Sequence, residues 1–286
     1  MIAVTGASGA LGGRVAALLA EQGAPQRLVV RDAARAPRID GAEVVDGASY
    51  ADGDAMRRAF EGADTVFLVS AAEDQHRVDL HRSAVDAAVA AGAERIVYTS
   101  FFGAAADCTF TFGRDHFHTE EHIKSTPLAW TFLRDNIYLD YVPFFAGADG
   151  VIRGPAGDGR VAAVARADIA ASAAAVLTSD GHAGAAYGMT GGEALTLAEA
   201  AERVSRAAGR PVTYVEETLE EARASRAPSG APAWEIEGWV TSYAAIAAGE
   251  MERVSDDVER LTGRTPISLA EFLRDNPDSY RHLVET

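Results

Sequence analysis

Apolar and polar positions along this chain fall into blocks of two different periods. Met1-Ile2-Ala3-Val4 runs without a polar interruption, as in a strand buried on both faces. Behind it Leu11, Val15, Leu18 and Leu19 recur at the spacing of one helical face. The alternation continues down the chain. Residues 27–31, 43–45, 65–70, 95–100 and 129–133 read as further strands. Helices are predicted over 52–60, with Asp52 as N-cap, over 78–91, closed by Gly92, and over 115–125, stopped before Pro127. Strands that alternate with helices in this way imply a parallel sheet covered on both faces.

The rhythm changes near Gly147, where Gly150, Gly154, Gly157 and Gly159 punctuate a region of loops. Residues 163–165 are expected to re-enter the sheet or its edge, and Asp168 to cap a helix that runs to Leu177. Tyr187 falls in a short strand, 196–208 in a helix ended by Gly209, and 213–215 in a strand. Helices follow from Leu219, broken over 227–232, with the last ones starting at Asp256 and Leu269. The expected fold class is α/β: a Rossmann-type doubly wound parallel sheet over residues 1–145, with a smaller C-terminal α/β cap over 146–286, partly interleaved with it.

Between the first strand and the first helix lies Thr5-Gly6-Ala7-Ser8-Gly9-Ala10-Leu11-Gly12, with glycines spaced G-x-x-G-x-x-G. A strand, a glycine turn and a helix N-terminus in that order make an anion site: amide N–H groups and the positive end of the helix dipole converge where a pyrophosphate fits. Arg31 lies at the end of the second strand, 19 residues past Gly12. An acid there suits the ribose hydroxyls of NAD, whereas a cation suits the extra phosphate of NADP, so NADPH is the expected cofactor. Arg35 is a second candidate for that phosphate.

Charge and cysteine content narrow the partners. A net charge of −16 over 286 residues argues against nucleic acid or an anionic membrane as the main partner. A local cradle of amides still accepts an anionic cofactor against that background. The single cysteine, Cys108, permits no disulfide within the chain and has no neighbour that marks it as a nucleophile. No run of apolar residues is long enough to span a membrane. With the first strand starting at Met1, no signal peptide is expected, and the expected location is the cytoplasm.

Lys124 is the only lysine, and four residues before it stands Glu120. The Tyr-x-x-x-Lys pair of the main short-chain dehydrogenases is therefore absent. His116 and Glu120 share a helical face, with Thr119 beside them. His116 has two readings, a proton donor or polariser and a histidine that packs or caps the start of a helix. His118-Thr119-Glu120-Glu121-His122 spells a zinc-peptidase pattern, but no third ligand is evident, and His118 projects about 200° round the helix from His116. A solvated helix face accounts for it. The aromatic stretch 234–243 reads as packing.

Several stretches are familiar together: residues 5–12, Val30-Arg31, Tyr98-Thr99-Ser100, His116-x-x-Thr119-Glu120, Thr131-Phe132-Leu133-Arg134-x-Asn136-x-Tyr138, Ala165-Arg166-Ala167-Asp168 and residues 255–264. They resemble the NmrA-like, atypical short-chain dehydrogenase group, most of all its quinone-reductase and triphenylmethane-reductase members. The resemblance implies hydride transfer from NADPH to a small hydrophobic, quinone-like or otherwise conjugated acceptor, with no flavin and no metal, by a monomer or homodimer. It puts Gly6, Ser8, Gly9, Leu11, Gly12 and Arg31, within the motif that also holds Thr5 and Ala7, on the adenosine and pyrophosphate side. Ser70, Ala71, Thr99 and Ser100 fall nearer the nicotinamide, and Asn136 and Tyr138 face the substrate. The expected hydrogen-bond donors to the acceptor are His116, Asn136 and Tyr138. Two departures stand out: Ser49 replaces a frequent acid, and 101–112 is individual to this chain. The competing expectation is a non-catalytic NADP(H)-binding redox sensor of the same group.

Overall fold

The structure, a computed structural model, describes residues 1–284. In chain order the elements are β1 (Ile2–Thr5), α1 (Ala10–Glu21), β2 (Gln26–Val29), β3 (Glu43–Val45), α2 (Gly53–Phe60), β4 (Thr65–Leu68), α3 (Arg77–Ala90), β5 (Arg95–Phe101), α4 (Thr111–Lys124) and β6 (Ala129–Asp135). There follow β7 (Val151–Gly154), β8 (Arg160–Val161), α5 (Arg166–Thr178), β9 (Ala185–Met189), β10 (Leu195–Thr196), α6 (Leu197–Ala208) and β11 (Thr213–Glu216). The chain ends in helices α7 (Leu219–Arg226), α8 (Ala233–Ala247), α9 (Asp257–Thr262), α10 (Leu269–Asp275) and α11 (Arg281–Val284).

Seven strands form one sheet in the order β3-β2-β1-β4-β5-β6-β9. β1 pairs in parallel with β2 on one side, Val4 opposite Leu28, and with β4 on the other, Val4 opposite Phe67. The strand order reverses at β1, which is the switch point where ligands of Rossmann-type folds bind.

Two compact units alternate along the chain. The first comprises residues 1–104, 115–134 and 166–187, and the second 105–114, 135–165 and 188–286. Residues 105–114 and 135–145 fall in the second unit, and 166–187 in the first. There α5 packs on α1, and the run Ala173-Ala174 with Ile169 and Ala170 leaves it buried on most sides. The first unit has an apolar core in which Met56 and Phe60 from α2, Ala84 and Val85 from α3, Val66 and Leu68, Ile96 and Phe132 come together. Full burial of a side chain such as Phe60 contributes about 2–3 kcal/mol. The second unit holds two small pairs, β10 with β8 and β11 with β7, and helices with strong start signals. Thr196 with Glu199, Thr218 with Glu221 and Ser268 with Glu271 each form a reciprocal capping box.

Three sequence expectations about elements need correction. Residues 163–165 make no strand: Val164 forms a single isolated bridge to Tyr138. Asp168 does not cap α5, which starts at Arg166, so the aspartate lies buried within the first turn. α4 starts at Thr111, four residues early, because nothing between 111 and 115 is a strong enough breaker to delay a helix that packing supports.

Candidate functional site

The turn between β1 and α1 is built by its glycines, each for a different reason. Gly6 sits at φ +60°, which strains any residue with a Cβ. Gly12 has an ordinary backbone, but a Cβ on it would come 2.4 Å from the Gly6 carbonyl oxygen, so only glycine lets α1 start this close to the strand. Gly9 occupies the N-cap without a side-chain cap, and the first turn of α1 carries no acid. The opening amides of a 12-residue helix thus carry no side-chain cap and no acid in the first turn; the acids that line the adjoining cleft, Glu73 and Asp74, come from the segment after β4.

A cleft of about 350 Å³ follows this turn. Thr5, Gly6, Ser8 and Gly9 line it, as do Arg31, Arg35 and Tyr50 on the β2 side and Ser70 and Ala71 on the β4 side. Arg31 lies two residues past the end of β2, not within the strand. The acid that follows it is committed elsewhere. Asp32 accepts from the Ala34 amide at 3.0 Å and caps a 3-10 turn, Ala33–Arg35, while Asp46 accepts from the Ala33 amide at 2.8 Å. That turn leaves Arg31 and Arg35 exposed at the cleft. Of the other expected cofactor residues, Ala7, Leu11, Gly12, Thr99 and Ser100 are buried and do not line the cleft. Gly12 acts by its packing and Thr99 through Ser70, whose amide donates to Thr99 Oγ1 at 2.8 Å. Ser100 is turned away, donating to Glu120 Oε1 at 2.6 Å.

The wall after β4 is held by side chains at every peptide. Thr5 Oγ1 accepts from the Val69 amide at 2.9 Å and donates to the Phe67 carbonyl at 3.1 Å. The Tyr50 hydroxyl reaches the Val69 carbonyl at 2.6 Å, and burial pushes its pKa up. Ala71 is held at both polar groups: its amide donates to His81 Nε2 at 2.8 Å, and its carbonyl accepts from Arg77 Nε at 3.0 Å.

Behind this wall the protons can be assigned from partners that only donate. A guanidinium is such a partner, so His116 Nε2, 3.1 Å from Arg77 Nη2, carries no hydrogen. Its hydrogen is on Nδ1, which donates to the Tyr98 hydroxyl at 2.9 Å. By the same logic His81 carries its hydrogen on Nδ1 and donates to Thr119 Oγ1 at 2.9 Å. Thr119 then donates to the Asp115 carbonyl at 2.8 Å. Burial, reinforced by the Arg77 charge, lowers the pKa of His81 to about 3. Burial, then Arg77, then His81 hold His116 well below its usual value. Both imidazoles are neutral at physiological pH.

The three expected donors therefore need correction. His116 is buried with both ring nitrogens engaged inside the protein, so it presents no hydrogen to a ligand. Asn136 is also fully buried. Its amide donates to the Met251 carbonyl at 3.0 Å, and its oxygen accepts from the Ile137 amide at 2.8 Å. Tyr138 donates to Asp135 Oδ2 at 2.9 Å, and burial raises the Asp135 carboxyl well above its ordinary value. Glu120, the helical-face partner of His116, is instead clamped by Arg134 through both oxygens at 2.9 and 2.6 Å. His118 is exposed, and His122 pairs with Asp86 at 2.7 Å. Sequence reasoning missed Arg77, His81 and Tyr50, since each acts on a residue that no local pattern connects to it, and Asp135, whose burial no local pattern shows.

A profile of the NmrA-like family matches residues 1–268. The chain belongs to the NmrA-like family. Among its relatives, an NAD(P)H azoreductase of Xenophilus azovorans is 34% identical over 96% of this chain and 97% of its own. A (4-alkanoyl-5-oxo-2,5-dihydrofuran-3-yl)methyl phosphate reductase of Streptomyces griseus is 35% identical over 98% and 99%. An Escherichia coli NADPH-dependent quinone oxidoreductase, solved with NADPH, superposes with a TM-score of 0.88 at 31% identity, covering 96% of this chain and 99% of that one. The NmrA-like chain has, among its described residues, no helix long and apolar enough to cross a membrane.

Proposed function

We propose that this protein is an NADPH-dependent reductase of small conjugated acceptors, quinones among them. The observation that carries the reading is the cleft itself: a glycine turn ending in an uncapped helix N-terminus, with Arg31 and Arg35 beside it and the neighbouring Asp32 committed to a turn. The donor set fits the cofactor. The opening amides of α1 hold the pyrophosphate, the two arginines hold the 2′-phosphate, and Ser70 and Ala71 border the other half. The relatives named above act on an azo compound, an unsaturated lactone and a quinone, and all three are conjugated electrophiles.

When bound, NADPH would supply two electrons and one hydrogen as a hydride, and the reduced acceptor would take the single proton that completes the reduction from water or a hydroxyl. A conjugated acceptor spreads the incoming charge, so placement does most of what a strong acid would otherwise do. In this reading His116 is a positioning residue acting through Arg77, Asn136 shapes the segment after β6, and the Tyr138 hydroxyl serves Asp135.

Calorimetry on the wild type and on Arg31→Ala/Arg35→Ala tests the cofactor half. NADPH should bind at least tenfold more tightly than NADH, and the double variant should abolish that preference. Equal affinity of the wild type for both dinucleotides would overturn the assignment of the arginines. Binding without turnover of any acceptor would favour the sensor.

A further inference from the structure

The Ala71 peptide is gripped from one helix. Arg77 and His81 stand four residues apart on α3, one turn, and take its carbonyl and its amide respectively. Each is backed by α4. His116 Nε2 receives the second arm of Arg77, and Thr119 receives the His81 Nδ1 hydrogen. None of the four lines the cleft. All are buried, Arg77 at 7% exposure and His81 at 0%. Burying a guanidinium beside two imidazoles costs more than apolar packing would, unless every donor is placed. The arrangement places the Nε and one Nη2 donor of Arg77 and both ring nitrogens of each histidine, and it converges on the peptide that walls the cleft on the β4 side, across β1 from Arg31.

We infer that Arg77 and His81 are positioning residues for the nicotinamide half of the cofactor, because they fix the Ala71 peptide that borders it. The inference rests on the NADPH reading. If the Ala71 wall shifts, the half of the dinucleotide on the β4 side loses its seat while the adenosine half keeps its own.

Calorimetry with two ligands, NADPH and 2′,5′-ADP (the adenosine half alone), separates these effects. His81→Leu removes the acceptor for the Ala71 amide. His81→Gln restores one, since its side-chain oxygen reaches where Nε2 stands. Thr119→Val loosens His81 from behind without approaching the cleft. His81→Leu should weaken NADPH by about tenfold, the worth of one aligned hydrogen bond, and leave 2′,5′-ADP unchanged. His81→Gln should recover most of the loss, and Thr119→Val should weaken NADPH alone by a few-fold. Should His81→Leu not fold, the pattern across wild type, His81→Gln and Thr119→Val decides. Equal losses for both ligands, or unchanged NADPH affinity in Thr119→Val, would overturn the inference. A wild type that binds 2′,5′-ADP and NADPH equally would overturn it too, leaving the adenosine-side reading intact. A wild type that binds neither would instead defeat the NADPH reading itself.

Discussion

Acidification tests whether His81 is held neutral by burial and by Arg77. In an unfolded chain its imidazole titrates near pH ~6.5, and in the folded protein near about 3. The folded value is depressed, so the unfolded state takes up the proton first as pH falls. The stability this group contributes is complete above about pH 6.5 and is lost progressively down to its folded value. Between pH 7 and pH 5 the unfolded chain gains about 0.7 proton per such histidine. At ~1.4 kcal/mol per unit over roughly one and a half units, that is about 2 kcal/mol for His81. For a protein of this size the loss lowers the melting temperature by about 4 °C. His81→Gln keeps an acceptor for the Ala71 amide but cannot titrate. Thermal melts of wild type and variant at pH 7, 6 and 5 give a difference of differences free of other groups. The variant should lose about 2 kcal/mol less than the wild type across that interval. Parallel losses would refute the claim that this imidazole is buried neutral.

Other perturbations follow from the same geometry. Gly12→Ala drives a methyl to within 2.4 Å of the Gly6 carbonyl oxygen and should abolish NADPH binding in calorimetry while leaving helical circular dichroism largely intact. Glu120→Ala strips both oxygens from Arg134 and the acceptor from Ser100, at a cost of about 1–3 kcal/mol in urea unfolding, since Arg134 is a third exposed and water takes up part of its charge. Asp135 has a raised folded pKa, so the sign is opposite to that of His81. Its contribution is greatest below the unfolded value of ~3.9 and declines as pH rises toward the folded one. Asp135→Asn should remove that decline in melts from pH 4 to pH 8, and an unchanged slope would contradict the assignment.

What the sequence made legible was local. The glycine turn, the Asp52 cap, the Gly209 helix stop and Arg31 beside the cleft are each written in a few adjacent residues. The wall of the cleft is not. His81 sits mid-way along an alanine-rich helix with nothing nearby to distinguish it, and its partners Ala71 and Thr119 come from a loop and from α4. His116 looked like a donor because the sequence shows its residue type but not Arg77 on its Nε2. Asn136 follows β6, yet which carbonyl its amide serves depends on Met251, more than a hundred residues away. Residues 163–165 looked like a strand by apolar content, but strand pairing requires a partner, and only Val164 has one.

The most direct measurement is anaerobic mixing of the purified protein with NADPH and a para-quinone, following the nicotinamide absorbance band. The account predicts loss of that band in step with hydroquinone formation and with no added flavin. It also predicts markedly slower loss with NADH at the same concentration. A band that persists with quinones, azo compounds and unsaturated lactones alike, although NADPH is bound, would contradict it.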